Sequence, residues 1–184
     1  MIYQDKNDNE LVGDYLKGDK ESFDILVRRY LKPVYGFAYR YSRNVQEAED
    51  ITQEVFVKVW RNLKKFDKNK NFKAWLFSVA KNTAIDFFRK RKYVPFCELE
   101  KDGELFGDMP DLSPLPDEIS ERRGWKEIIS KTIERLSPKY RELLFLRYNG
   151  DMTFRQISEY LGESVDTVKS RHRRALIVLK TFLE

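Results

Sequence analysis

Six polar residues near the end of the chain have the types and spacing that suit contact with nucleic acid. They fall on one predicted helix, which begins after a capping residue at Ser164 and runs from Val165 to about Leu183. Arginine and lysine donate to guanine edges and phosphates, and serine and threonine make contacts of either kind. The predicted outward-facing set on the N-terminal half of this helix is Thr167, Lys169, Ser170, Arg171, Arg173 and Arg174.

The elements before this helix complete a helix-turn-helix pattern. Thr153 and Gln156 have the spacing of a capping box, which predicts a helix of about eight residues that ends at Gly162. In such motifs the second helix enters the major groove and its N-terminal half touches the bases. The alternative is a basic helix that only faces solvent. The predicted inward positions of the second helix are Val165, Val168, Ala175, Leu176 and Leu179.

A second basic segment, with interleaved aromatic residues, lies earlier in the chain. It comprises a predicted loop over residues 64–71 and a helix that continues to about Lys92. Bases of single-stranded nucleic acid stack on aromatic rings while phosphates pair with cations. Alternatively, the aromatics form a core and the cations stabilise the C-terminal end of the helix, and the residues leave both interpretations open. The candidate residues are Phe66, Phe72, Lys81, Asn82, Arg89, Lys90 and Arg91.

The predicted helix that precedes this segment, from about Asn44 to Leu63, has an acidic polar face with an apolar stripe, including Trp60, opposite. Acidic residues stabilise the first turn of a helix, but Asp50, Gln53 and Glu54 lie beyond that turn, where the effect fades. A protein-docking surface in a basic domain is the competing explanation. The residues alone do not decide between the two.

The distribution of charge predicts two helical domains joined by a linker. Residues 1–92 carry 20 Lys/Arg against 13 Asp/Glu, residues 93–120 carry 1 against 8, and residues 121–184 carry 14 against 9. Four prolines and no helical periodicity mark 93–120 as an acidic linker. The fold is predicted to be all-α. In the first domain Asp19 is a predicted N-cap, and Pro33 predicts a kink or break in the helix that follows.

The residue inventory gives no support for catalysis or metal binding. The single cysteine, Cys97, and the single histidine, His172, cannot form a zinc cluster or a disulfide framework. No nucleophile has an activating partner in sequence, and no glycine-rich phosphate loop is present. No apolar run is long enough to span a membrane. We therefore expect a cytoplasmic protein, not an enzyme, with no cofactor or metal.

Four segments together resemble a known family. Residues 47–60 resemble the most characteristic stretch of region 2 of bacterial RNA polymerase sigma factors, and residues 72–82 continue it. Residues 136–142 and 167–171 resemble region 4. Because no room remains for region 3, the chain resembles the extracytoplasmic-function (ECF) subgroup.

The resemblance implies a role in transcription initiation without catalysis. Region 2 (1–92) would dock on the β′ clamp helices of core RNA polymerase through Asp50, Gln53 and Glu54. Its loop from Phe66 to Phe72, with Asn82 and the basic end of the following helix, would meet the melted −10 element. Region 4 (121–184) would contact the β flap and read the −35 element as duplex DNA. Further implied properties are an anti-sigma factor as partner, a monomeric free state and no membrane insertion.

Two rival classes of protein make different predictions. A stand-alone helix-turn-helix regulator would bind a palindromic site without polymerase, usually as a dimer. An enzyme with a DNA-binding tail needs a catalytic cluster within residues 1–92, and none is evident there.

Overall fold

The computed structural model describes residues 6–90, 132–133 and 135–183. Within them it contains α-helices, one short 3₁₀ helix (Leu63–Lys65) and no strand. The predicted linker (93–120) and most of residues 121–135 lie outside the described residues. The α-helices are α1 Asp8–Leu16, α2 Lys20–Ser42, α3 Val45–Asn62, α4 Phe72–Lys90, α5 Pro138–Tyr148, α6 Phe154–Leu161 and α7 Val165–Leu183.

Helices α1 to α4 form the N-terminal unit. Helix α1 was not predicted, although its signal is present as the capping box between Asn7 and Glu10. Asp8 joins α1 to α2 by accepting hydrogen bonds from Arg29 and Tyr30. Asp19 caps α2 as predicted, because its carboxylate accepts a hydrogen bond from the backbone N–H of Glu21.

Helix α2 continues through Pro33 without a break. A proline inside a helix costs about 3 kcal/mol because it removes one hydrogen bond and crowds the preceding turn. The residues that follow outweigh this cost, since Val34 and Phe37 are almost fully buried and each contributes about 1.5–3 kcal/mol. Of the kink or break expected at Pro33, the break is therefore absent.

Helices α5 to α7 form the C-terminal unit, and local signals in the sequence fix its boundaries. Thr153 and Gln156 form the predicted capping box at the start of α6. Gly162 ends α6 with a φ of +67°, a left-handed conformation that favours glycine. Ser164 then accepts a hydrogen bond from the N–H of Thr167 at 3.1 Å and begins α7.

The two units pack against each other. The ring of Phe145 in α5 lies 6.0 Å from that of Phe37 in α2, and the guanidinium of Arg40 lies 4.2 Å above the Phe145 ring. One buried apolar cluster runs from the N-terminal unit into the C-terminal unit, where it includes Leu146 and Ile157. Helices α4 and α6 are also in direct contact.

No helix in the described part of the chain combines the length and the apolar character needed to cross a bilayer.

Candidate nucleic-acid and docking surfaces

The polar face of α7 is presented to solvent as predicted. Five of the six candidate residues are exposed, and Lys169 makes a long ion pair with Asp166, at 3.9 Å. Arg171 differs, because it is half-buried and its guanidinium lies 2.8 and 2.7 Å from the two carboxylate oxygens of Glu163. The exposed candidates are Thr167, Lys169, Ser170, Arg173 and Arg174.

The opposite face holds α7 in place. Val168 and Ala175 are fully buried, which confirms two of the predicted inward positions, whereas Leu176 is 38 % exposed and that prediction is wrong. His172 lies 3.1 Å from the hydroxyl of Tyr148 and packs edge-on against Phe154. Burial and the nearby positive charge of Arg147 lower the pKa of His172. This histidine packs within the unit and is not poised as a general base.

A cavity of about 400 Å³ opens beside the exposed face of α7. Its wall on the other side is Tyr140 of α5, and Ser170 and Arg174 line it from α7. Cationic and hydroxyl donors thus converge, together with the carboxylate of Asp166, on a concave surface at the N-terminal half of the second helix. Donors of this kind bind base edges and phosphates.

The aromatic residues of the second candidate surface are largely internal. Phe66 and Phe72 are 6 % and 1 % exposed, and their rings meet edge to face with centroids 5.7 Å apart. Trp75 packs on Phe66 at 5.0 Å. The structure therefore gives Phe66 and Phe72 a supporting position beneath the loop, and stacking of either ring on a base requires the loop to open.

The polar part of that loop is exposed, and hydrogen bonds from α1 hold its backbone. The exposed residues are 67–70. The side-chain amide of Asn9 in α1 donates to the backbone carbonyls of Lys68 and Lys70 at 2.9 and 3.0 Å. These bonds fix the loop against α1 and give it a defined shape.

The remaining candidates along α4 differ in exposure. Asn82 is exposed, as are Arg89 and Lys90, and Arg89 pairs with Asp86 at 3.0 Å. Lys81 is half-buried and engages the C-terminal unit. Arg91 lies outside the described residues.

The acidic stripe forms one exposed face of α3. Asp50 and Gln53 are exposed, and Glu54 is partly exposed and pairs with Lys58 at 3.0 Å. Two apolar residues that sequence reasoning missed lie on the same face: Val57 is 44 % exposed and Trp60 is 54 % exposed. Trp60 was expected on the buried stripe, but its indole N–H instead donates to the hydroxyl of Tyr15 at the surface. Exposed apolar residues beside acidic ones suit a protein partner.

No group of histidine, cysteine, aspartate and glutamate side chains in the described ranges has a geometry that holds a metal ion. The surfaces that the structure does present are an exposed basic helix of a helix-turn-helix, a loop with basic neighbours and an acidic-apolar helix face. This combination defines a helical DNA-binding protein with a separate protein-docking surface.

Comparison with known proteins identifies the family. Residues 26–93 match sigma-70 region 2, and residues 126–179 match sigma-70 region 4. The ECF RNA polymerase sigma factor SigW of Bacillus subtilis is 33 % identical over 168 residues, which cover 89 % of this chain and 90 % of SigW. The RNA polymerase sigma-H factor of Pseudomonas aeruginosa is 32 % identical, over 95 % of this chain and 92 % of that protein. The chain belongs to the ECF sigma factors.

Solved structures support the same fold. The structure of CnrH in complex with the cytosolic domain of CnrY matches with a TM-score of 0.67 at 23 % identity, over 96 % of each chain. The sigma factor RpoE in complex with the anti-sigma factor NepR, from Bartonella quintana, matches with a TM-score of 0.62 at 24 % identity, over 89 % of this chain and 97 % of RpoE.

Proposed function

We propose that the chain binds core RNA polymerase and directs it to promoters, where it reads the −35 element as duplex DNA and captures the opened −10 strand. The polymerase performs the chemistry. Residues 1–92 act as region 2, residues 121–184 as region 4, and the acidic segment 93–120 connects them. An anti-sigma factor is the expected regulator.

The exposed basic half of α7 carries this proposal. It follows a left-handed glycine turn, as the second helix of a helix-turn-helix does, and presents its donors on a concave surface. The base and phosphate contacts are made by Lys169, Ser170, Arg173 and Arg174. Thr167 and Arg171 lie nearer the sugar-phosphate backbone of the DNA. Because Arg171 is held by Glu163, its main role is to fix the helix in its orientation.

The acidic face of α3 is the proposed polymerase-docking surface. Asp50 and Glu54 supply negative charge that is complementary to a basic partner, which steers association and sets orientation, and the amide of Gln53 lies beside them. Val57 and Trp60 supply the apolar area that stabilises a docked complex once it forms. A docking surface of this kind favours the sigma-factor function over a regulator that binds DNA alone.

The exposed loop and α4 make the proposed −10 surface. Lys81, Asn82, Arg89 and Lys90 contact the phosphates and bases of the opened strand, as does Arg91 beyond the described residues. The polar residues of the loop border the pocket for a flipped base, and Phe66 and Phe72 support them from below. Capture of the strand stabilises the opened promoter against re-pairing.

The decisive experiment combines the purified chain with core RNA polymerase on a library of promoter fragments. Selective initiation that is absent with core enzyme alone supports the proposal and yields the promoter sequence. Tight binding to a palindromic duplex without polymerase, with no association to core enzyme, would instead identify a stand-alone regulator.

A further inference from the structure

The exposed loop 67–70, which borders the proposed pocket for a flipped base, is folded as a closed turn. The backbone carbonyl of Asp67 accepts a hydrogen bond from the backbone N–H of Lys70 at 2.9 Å. The carboxylate of Asp67 accepts from the backbone N–H and the side-chain amide of Asn69, at 3.0 and 3.1 Å. Aspartate often stabilises a turn by bonding the backbone two residues further on. These bonds shape the turn, but they do not orient it on the N-terminal unit.

The orientation of the turn is set by Asn9 in α1. The side-chain amide nitrogen of Asn9 donates to the carbonyls of Lys68 and Lys70 at 2.9 and 3.0 Å, across 59 and 61 residues of sequence. An asparagine amide has two donor hydrogens, whereas a serine hydroxyl has one and an ionised aspartate has none. Asn9 thus has the number of donors that two carbonyls of one turn require.

Helix α1 gives this amide a fixed origin. Next to Asn9, the carboxylate of Asp8 accepts a hydrogen bond from the hydroxyl of Tyr30 in α2. One turn further on, Leu11 and Val12 are fully buried. The backbone of Asn9 therefore lies between residues that are held on both sides, and its side chain reaches the loop from a rigid element.

Tyr30 also positions the far end of the loop. Its ring, only 5 % exposed, packs against Phe72, the first residue of α4, with centroids 5.8 Å apart. Burial and the nearby charge of Asp8 raise the pKa of Tyr30 far above its usual value, so the hydroxyl stays protonated and keeps donating. The start of α1 and the start of α4 thus contact the same buried side chain, and the loop between Phe66 and Phe72 is placed relative to both helices.

A role for Asn9 in overall stability alone is the competing explanation. Both of its hydrogen bonds are exposed, and exposed bonds of this kind add little to the free energy of unfolding. Asparagine is also a poorer helix former than alanine, so this residue does not serve α1 itself. The main effect of the two bonds falls on the position of the turn.

We infer that Asn9 is a positioning residue for the −10 element: it holds the turn at 67–70 in the orientation that receives the flipped base, and does not touch DNA itself. This inference rests on the proposed −10 role of the loop. A loop that is already ordered loses less conformational entropy on binding. Helix α1 lies outside residues 26–93, which match sigma-70 region 2, so a residue beyond that match contributes to promoter choice.

The inference predicts a loss of base preference more than a loss of DNA affinity. Phosphate contacts from the cations of α4 serve every sequence alike, whereas the captured base depends on the loop. Without Asn9, a smaller fraction of molecules has the loop in its receiving orientation. Promoters with the preferred −10 base therefore lose their advantage over promoters without it.

Asn9→Ala tests this prediction without a change of charge. It removes both donors, and alanine favours the helix, so α1 should stay folded. The full chain is combined with core RNA polymerase on promoters that share one −35 element and differ only in the −10 element. We expect the preference for the best −10 sequence over its single-base variants to fall about 5- to 30-fold, as the loss of two exposed hydrogen bonds would produce.

Three further variants separate position from charge. Asn9→Asp keeps the size but turns a carboxylate toward two carbonyl oxygens, so its loss of preference should exceed that of Asn9→Ala. Gln46→Glu makes the same amide-to-carboxylate change at the exposed second residue of α3, and should leave the preference intact. Asn9→Gln keeps an amide on a longer side chain, and should retain more preference than Asn9→Ala. Melting temperature and affinity for −35 duplex should be unchanged throughout.

Hydrogen exchange of the free chain tests the loop without polymerase or DNA. The amides of Asn69 and Lys70 should exchange faster in Asn9→Ala than in the wild type, because the turn is released from α1. If preference falls while exchange stays the same, Asn9 contacts DNA directly and the positioning role is overturned. If preference falls only together with melting temperature and −35 affinity, the role is general stability, which also overturns it.

The initiation assay distinguishes this inference from the proposed function. If the wild-type chain directs selective initiation and both Asn9→Ala and Asn9→Asp keep the full −10 preference, only the role of Asn9 is refuted. If the wild-type chain directs no initiation with core polymerase, the proposed function fails, and the inference that rests on it fails as well.

Discussion

Replacement of Arg174 by alanine separates DNA recognition from folding. Arg174 is exposed beside the cavity that Tyr140 and Ser170 line, and it makes no ion pair within the described part of the chain. Its removal therefore sacrifices no stabilising contact there. The whole effect of Arg174→Ala should fall on DNA binding.

The expected magnitude follows from the contact that is lost. A bidentate arginine contact to a guanine is worth about 1–3 kcal/mol, so the affinity of the holoenzyme for duplex −35 DNA should fall by about 5- to 150-fold. The assay is a binding titration of the holoenzyme on promoter duplex from the initiation screen, at one fixed salt concentration. Affinity for core polymerase and the melting temperature should not change.

Two comparisons decide whether the reasoning holds. Lys180→Ala removes the same charge from the end of α7 and should have a much smaller effect. Arg171→Ala breaks the half-buried pair with Glu163 and should lower the melting temperature as well as the affinity. If Arg174→Ala weakens binding no more than Lys180→Ala does, α7 contributes only general positive charge, and the assigned reading role is refuted.

Three further changes test the docking face and the C-terminal unit. Glu54→Lys should weaken association with core polymerase in a direct binding assay, and an equal loss with Glu21→Lys would contradict docking through α3. Gly162→Ala should lower the free energy of unfolding by about 1–2 kcal/mol, because φ is +67° and the Cβ meets no atom within 4 Å; an unshifted denaturant midpoint would contradict a strained turn. Ile157→Ala should cost about 2–5 kcal/mol in the same unfolding assay, since Ile157 is fully buried, and a loss below that range would mean that the site collapses around the smaller side chain.

Local features were predictable from the sequence where a single physical requirement fixes them. The capping box at Thr153, the left-handed turn at Gly162 and the cap at Asp19 each satisfy backbone groups within a few residues. The family resemblance is confirmed by the comparisons. The assignment of individual residues to promoter elements stays a prediction.

Tertiary packing decided the features that the sequence could not predict. Whether Pro33 breaks α2 depends on how much area the next turn buries, and whether Trp60 is buried depends on where α1 places Tyr15. The sequence left open whether the aromatic residues of the loop and α4 form a core or stack on bases, and in the structure Phe66 and Phe72 are buried in one cluster with Trp75. Contacts between units separated by a long linker leave no periodic signal.

The contact between Lys81 and Glu142 changes how the basic character of this chain is understood. A positive charge at Lys81 does not by itself make that side chain available to DNA, because its ammonium is paired with the carboxylate of Glu142 in the same chain. In the described part of α7, Lys169, Arg173 and Arg174 stay exposed, whereas Arg171 is half-buried and paired with Glu163. The exposed cations of α7 are therefore better placed for contact with DNA in this structure than Lys81 is.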